Sequence, residues 1–400
     1  MTTEEQIMTT VEEKPAPLAA SPDPADVLRA AAGLHDLIDA HGAENDRAGR
    51  IAEPVVGALY GCGAIGGFTP RELGGSEMTP RQLLDLYRTV SYADPSTGWV
   101  TMALAMATGL AGAFFDRDTA EELFSTPRLG IAGQGTRPGR AVPVAGGHLL
   151  TGSWSFASGI KHATHLHTAA QDTETGEPRF FIVPVEQVTF DQGSWDVMGL
   201  RGTGSIDYTL QDVFVPVNYS YHTLSIDPVT GGDLFRIGIG NYASLNHGPW
   251  ALGTGRRLLD ELALGVRATA GKPGAPGDSE SFTEQYAHAE VKLRSAKAFL
   301  YEVWEEIEAS LAAGDGVPVR LETLNRVALN NATFTTHEIA QFVYLNSGTT
   351  ALRQGTVQRL FRDVHGGTQH ISSSPLIMRS AGRELAGLAE GKRWVHFNLS

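Results

Sequence analysis

Near the end of the chain two histidines share a glycine-rich stretch, Arg362-Asp363-Val364-His365-Gly366-Gly367-Thr368-Gln369-His370. An imidazole titrates close to neutrality, so either ring can hold or deliver a proton. Either can equally be a hydrogen-bonded structural histidine. Hydroxyl and amide groups gather in two earlier stretches, Gly133-Gln134-Gly135-Thr136 and Gly152-Ser153-Trp154-Ser155-Phe156-Ala157-Ser158-Gly159. Ser158 reads as a ligand-facing hydroxyl or as a solvated strand-end serine, and Trp154 as a ligand face or as core. A third stretch, Met198-Gly199-Leu200-Arg201-Gly202-Thr203-Gly204-Ser205, is followed by Asp212-Val213-Phe214-Val215-Pro216. Arg201 either touches substrate or shapes its turn, and the turn is the favoured reading.

Several chemistries are excluded. There is no His-Glu-x-x-His spacing, so no metal site is expected. There is no phosphate-cradling Gly-x-x-x-x-Gly-Lys loop, and no Gly-x-Gly-x-x-Gly after a first strand. A built-in nicotinamide domain is therefore not expected. The formal net charge of −14 repels nucleic acid and anionic membranes. The single cysteine, Cys62, forms no internal disulfide, which fits a reducing, cytoplasmic setting. The longest weakly polar run, Trp99–Phe115, is rich in Ala and Gly and reads as a buried helix of a soluble protein.

Four hundred residues suit two or three packed domains. Residues 1–24, acidic and then rich in Pro and Ala, read as a disordered tail. Residues 25–128 read as helices. Thr79-Pro80 and Asp94-Pro95 mark helix starts, and Asp118 with Glu121 suggests a capping box. Residues 129–234 alternate short apolar runs with Gly-rich turns and read as strands. Residues 235–400 return to helical periodicity. Leu293, Ala296, Leu300, Trp304, Ile307 and Leu311 share one face, and the pattern predicts an antiparallel four-helix bundle.

Taken in order, these motifs resemble the acyl-CoA dehydrogenase superfamily over residues 30–395, and more closely its branch of two-component flavin-dependent monooxygenases (group D). The resemblance implies an α+β architecture: an N-terminal helical domain, a central β-barrel and a C-terminal four-helix bundle, with a flavin between barrel and bundle. It implies reduced flavin (FMNH2 or FADH2) and O2 as cofactors, and a separate NAD(P)H:flavin reductase as partner. The implied assembly is a homotetramer or dimer in which a neighbouring subunit completes the flavin site. The implied reaction oxygenates a small organic molecule, aromatic or a natural product, through a flavin C4a-hydroperoxide.

By the same resemblance Ser158 stands near flavin N5 and C4a, and His370 matches a histidine near the flavin, with His365 as the competing candidate. Gln134, Thr136 and Trp154 line the flavin. Arg267 and Gln285, on the helices flanking the Gly271–Asp278 loop, reach the phosphates of an adjacent subunit's flavin, and Phe282 stacks nearby. The superfamily's Tyr-Glu-Gly-Thr segment, which carries the base of many dehydrogenases, aligns with His365-Gly366-Gly367-Thr368. Gly366 cannot accept a proton, which argues for oxygenation over dehydrogenation. A dehydrogenase or oxidase with a displaced base, or a non-catalytic binding protein, are the alternatives. Phenol and thiophene oxygenases of the branch carry a second histidine late in the buried helix, where this chain has Ala105-Met106-Ala107-Thr108-Gly109. That departure argues against phenol-type hydroxylation and for N-oxygenation, epoxidation or hydroxylation of a bulkier substrate.

Overall fold

The structure, a computed structural model, describes residues 21–400 apart from the side chain of Thr136. Most of the tail expected over residues 1–24 lies outside the described residues.

Six helices open the fold: α1 Pro24–Gly33, α2 His35–Ala48, α3 Glu53–Gly61, α4 Pro80–Ala93, α5 Pro95–Phe114 and α6 Arg117–Phe124. Their starts follow local chemistry. Thr79 and Gln82 close a capping box on α4, with Pro80 in the first turn where no amide hydrogen is missed. The Asp94 carboxylate accepts the Thr97 amide at 2.9 Å and starts α5. The cap of α6 is Asp116, which accepts the Thr119 amide at 3.0 Å, and not Asp118 as the sequence suggested. Asp116 holds the extended backbone a cap needs, whereas Asp118 is already inside the helix.

Helix α5 is long and apolar enough to cross a membrane, yet most of it is packed inside this chain. Its glycines explain how. A Cβ at Gly109 would lie 2.4 Å from the Phe68 carbonyl, and one at Gly98 2.0 Å from Ser91 Oγ. Small residues thus let α4 and the Ile65–Phe68 turn close on a helix that is apolar nearly all round.

The central domain is a seven-stranded sheet in the order β5-β6-β2-β1-β3-β4-β7. Its strands are β1 Ile131–Val144, β2 Gly147–Trp154, β3 His165–Asp172, β4 Pro178–Pro184, β5 Thr189–Asp191, β6 Asp207–Pro216 and β7 Ser220–His222. The β1–β3 pair is parallel and the others antiparallel. Among the described residues β5 and β7 are edges that do not pair, so the expected barrel is an open sheet.

The remaining two fifths of the chain hold α7 Tyr242–Thr269, α8 Glu280–Ala312, α9 Val319–Asn346, the single turn α10 Thr349–Leu352, α11 Thr356–Gly367 and α12 Pro375–Leu385, closed by a hairpin of β8 Trp394–Val395 and β9 Asn398–Leu399. Helix α9 packs against α7, α8, α11 and α12. The fourth place in the bundle is therefore divided between α11 and α12, and the sequence reading had missed α11. The break has a steric cause. A Cβ at Gly367 would fall 2.1 Å from the Trp250 ring, so only glycine allows α11 to end against α7.

Helix α11 is docked on the loop before β6. The Leu200 amide donates to Asp363 Oδ1 at 2.6 Å, and Arg362 donates to Met198 O at 2.7 Å and to Asp46 Oδ2 at 2.7 Å. Gly199 makes this approach possible, because a Cβ there would lie 2.0 Å from the Arg362 carbonyl. Gly199→Ala is expected to destabilise the protein by about 1–3 kcal/mol through overpacking. Urea unfolding of the variant checks this; an unchanged midpoint would mean that the loop moves aside at no cost.

Candidate active site

The chain brings three rings together where the sheet meets the bundle. Trp99 on α5 stands 5.7 Å from His370, centroid to centroid, and 4.4 Å from His247 on α7. The two imidazoles are 4.0 Å apart, and Trp250 closes one side at 5.1 Å from Trp99, edge to face. Trp99 also reaches the sheet domain, since its Nε1 donates to Ser158 Oγ at 3.1 Å. One indole therefore touches both residues singled out in the sequence, Ser158 and His370.

Behind Ser158 runs a chain of hydroxyls. Ser158 Oγ and Ser205 Oγ are 2.7 Å apart, Ser205 Oγ and Thr203 Oγ1 are 2.7 Å apart, and Thr203 Oγ1 donates to Leu200 O at 2.7 Å. Each hydroxyl has one proton, and the carbonyl can only accept. Thr203 therefore donates to Leu200, Ser205 to Thr203 and Ser158 to Ser205. The Ser158 oxygen is left as an acceptor, with Trp99 on one lone pair and the other free.

His370 has a fixed tautomer. The Ser372 amide donates to its Nδ1, and Ser372 Oγ lies 2.6 Å from the same atom. An accepting Nδ1 places the proton of the neutral ring on Nε2. Burial pushes the His370 pKa down to about 4, so the ring is neutral at physiological pH. It presents an N–H donor and not a cation.

Other expected site residues lie elsewhere. His365 is on α11 facing α9: its Nδ1 bonds to Phe361 O at 2.7 Å and its ring meets His337 at 4.6 Å. His370 escapes that fate because the helix ends at Gly367 and the chain turns back. Trp154 is sheet core, stacked on Tyr208 at 5.2 Å with its Nε1 given to Ala169 O, and so offers no cofactor face. Gln134 lies on β1, where its Oε1 accepts the Arg137 amide at 3.3 Å. The side chain of Thr136 falls outside the described residues. Phe282 is buried between Tyr286 and Phe342, each 6.0 Å away. Arg267 and Gln285 are exposed. Arg267 is twenty residues beyond His247 on the same helix, roughly 30 Å along it. Within one protomer these three do not join the ring cluster. Arg201 holds its own turn, donating to Val197 O at 2.9 Å and Asp46 O at 3.2 Å.

Sequence reasoning had missed His247, Trp99, Ser205 and Thr203. Two of them were inside the third motif, and His247 lies one turn before Trp250 on α7. A histidine three residues from a tryptophan in the mostly apolar run 245–252 was the available signal. Two open concavities, of about 270 Å³ beside Ile160, Lys161 and Phe190 and about 350 Å³ beside Phe299, Phe334 and Met378, touch neither Ser158 nor His370.

The residues fit a reduced flavin. Ser158 supplies a free acceptor for an N–H. Two buried polar atoms, Asn246 Oδ1 and His247 Nδ1, have no hydrogen-bond partner. Phe156, at a left-handed φ of 72° and 62% exposed, offers apolar surface at the Ser158 turn. Ser158 and His370 would hold the reactive part of the ring system.

The neutral histidines also set an acid limit. His370 and His162 are pushed down to about 4, His167 to about 3 and His247 well below its usual value, each mainly by burial. Below the ordinary histidine pKa the unfolded chain takes up protons that the folded one refuses, so stability is present above about pH 6.5 and is lost as pH falls toward 4. Asp363, raised to about 7 by burial and then by Asp94, acts in the opposite direction over the same window, as do Glu308 and Glu322, while His165, His337 and His396, lowered mainly by burial, add to the histidine side. The urea midpoint should therefore fall from pH 7 to pH 5, and His370→Asn should flatten that slope. An equally steep slope in the variant would show that His370 is not held neutral.

The chain as a whole is similar to known proteins in sequence and in fold. Residues 245–375 match the family described as acyl-CoA dehydrogenase, C-terminal domain. The chain is 28% identical to an indole-3-acetate monooxygenase of Pseudomonas putida, over 91% of this chain and 96% of that one. It superposes on the crystal structure of 3-HSA hydroxylase from Rhodococcus sp. RHA1 with a TM-score of 0.84, at 24% identity and covering 91% of this chain and 97% of that one. On XiaF from Streptomyces sp., solved in complex with FADH2 and glycerol, the TM-score is 0.83 at 21% identity, covering 91% and 96% of the two chains. The chain thus has the acyl-CoA dehydrogenase-like fold, carries that family's C-terminal domain over residues 245–375, and is similar over most of its length to oxygenase components of flavin-dependent monooxygenases.

Proposed function

We propose that this chain oxygenates small aromatic molecules with reduced flavin and O2, and that the Ser158–Trp99–His370 contact is where it does so. That contact carries the reading, because it sets a free hydroxyl acceptor and a neutral N–H donor on two sides of one indole. Reduced flavin, FMNH2 or FADH2, supplies two electrons and the site at which O2 is activated. Hydroxylation of small aromatic substrates is the activity of this branch. The chain's departure in α5 had argued against it. His247 weakens that argument by bringing a second imidazole to the site from a different helix.

The residues divide the work physically. Ser158 accepts an N–H through its free lone pair while its own proton stays in the Ser205–Thr203 chain. His370 donates from Nε2 and remains uncharged, so no counter-ion is needed in a desolvated site. Trp99 and Trp250 exclude water. Gly366 carries no base and packs 3.4 Å from the Gly199 backbone by Cβ position, which supports oxygen insertion over α-proton removal.

An oxygenase subunit implies a separate flavin reductase, and we infer that it draws on NAD(P)H in the cytoplasm. We also infer a homotetramer. Leu345, Leu376, Leu388 and Val291 are 61–77% exposed, and the exposed Arg267 and Gln285 would meet a flavin phosphate only across such an interface.

Supplied with a reductase, NADH, ¹⁸O2 and a panel of indoles and phenols, the protein should place ¹⁸O in product. No label in any product would overturn the reading. Ser158→Ala should divert electrons to H2O2, raising the H2O2-to-product ratio roughly tenfold, about what one lost hydrogen bond is worth. An unchanged ratio would remove Ser158 from the mechanism.

A further inference from the structure

We propose that Asp363 is a positioning residue for the reaction: by holding the Leu200 amide it fixes the carbonyl on which the Thr203–Ser205–Ser158 hydroxyl chain ends, and so sets the bond that Trp99 makes with Ser158. Its effect on the reaction rests on the function proposed above. Its effect on the indoles of Trp99 and Trp195 does not.

Leu200 is the piece that needs holding. Its backbone is left-handed, with φ 57°, a conformation that a leucine rarely adopts. It is gripped at both ends. The Asp363 carboxyl accepts its amide at 2.6 Å, and its carbonyl accepts the Thr203 hydroxyl at 2.7 Å and Trp195 Nε1 at 3.1 Å. From Thr203 the hydroxyls run through Ser205 to Ser158, where Trp99 Nε1 closes the chain at 3.1 Å. The chain has one direction because its far end is a carbonyl, which can only accept. A turn of Leu200 therefore moves the acceptor that orders every proton behind it, and both Trp195 and Trp99 feel it.

The charges around Asp363 make that hold adjustable. Its carboxyl is buried, and Oδ2 has no hydrogen-bond partner. Asp94, the cap of α5, is buried too, and its Oδ1 is in the same condition. Arg359, one turn before Asp363 on α11, stands with Nε 3.5 Å from Asp94 Oδ1, so one guanidinium faces two buried carboxyls. From α2 comes a further carboxylate, Asp46, paired with Arg362 at 2.7 Å. In the loop, Arg201 is turned to the carbonyls of Val197 and Asp46. The histidines that α7 and α9 bring to this region, His247 and His337, meet His370 and His365 instead. Burial, and then Asp94, raise the Asp363 pKa to about 7. A carboxylate accepts an amide hydrogen about twice as strongly as a neutral acid does. The grip on Leu200 is therefore firm above pH 7 and slackens as pH falls through it.

The indole N–H resonances of ¹⁵N-tryptophan-labelled protein read this directly, on the full chain and without flavin. Trp99→Phe and Trp195→Phe identify the two signals. In the wild type both should shift with one common midpoint near pH 7. His370, at about 4, and His247, well below its usual value, stay neutral there. The signals of Trp304 and Trp394, bonded to Ser244 and Thr323, should stay still. Asp363→Asn should hold the Trp99 and Trp195 signals fixed. Asp94→Asn, which keeps a capping oxygen for α5, should lower the midpoint. Circular dichroism and the melting temperature establish that the variants are folded, and Asp94→Asn decides if Asp363→Asn is not. With reductase and substrate at about pH 8, Asp363→Asn should raise the H2O2-to-product ratio roughly fivefold, the loss when a charge-assisted hydrogen bond becomes a neutral one. A shift in neither signal or in one alone, a shift that survives in Asp363→Asn, an unmoved midpoint in Asp94→Asn, or an unchanged ratio would overturn the proposal. Shifts as expected with no ¹⁸O in any product would sink the oxygenase reading and leave the hold of Asp363 on Ser158 standing.

Discussion

Everything at the site depends on a close backbone contact between α11 and the loop before β6. Gly199 lets the Arg362 carbonyl approach, and the Leu200 amide is then taken by Asp363 while Arg362 clasps Met198 and Asp46. This contact does two things at once. It fixes the carbonyl of Leu200, the terminus of the Thr203–Ser205–Ser158 hydroxyl chain. It also fixes the end of α11, from which His370 is thrown toward Trp99. The two halves of the site are thus oriented by the same few atoms, and a shift there would move both together.

The electrostatic character follows from burial. The ring cluster beside Ser158 is made of imidazoles, indoles and hydroxyls, and desolvation keeps His247 and His370 neutral. Neutral groups in such a place act by direction and not by net charge: one N–H from His370, one bare oxygen from Ser158, one imidazole without a protein partner in His247. Directional groups of this kind suit a planar, heteroatom-bearing ring system and a flat substrate. They provide no attraction for a highly charged acyl chain carrier at the reacting centre.

Much of this was legible in the residues themselves. Helix starts at Thr79-Pro80 and Asp94-Pro95, the switch from helical to strand texture near residue 130, and the return to helices are local matters of capping, periodicity and turn chemistry. Ser158 and His370 were found because each lies in a recognisable motif. The cap of α6, the open edges of the sheet and the separate helix α11 escaped the sequence reading for reasons that no local pattern carries. The α6 cap depends on which of two nearby aspartates holds extended backbone, and closure of the sheet depends on whether its edges meet. The break after α11 depends on the Trp250 ring arriving over Gly367.

The chain's own order of residues determined the succession of elements, the absence of a base at Gly366 and the stock of hydroxyls and imidazoles available for chemistry. Only the tertiary structure decided which of them meet. It sent His365 to the face of α9 and Trp154 and Phe282 into the core, and it brought in His247 from a helix more than a hundred residues away in sequence from both Trp99 and His370. Local pattern sets where a side chain points on its own element. Which other element lies opposite is settled by long-range packing, and here by glycines that let backbones come close enough for a few side chains to touch.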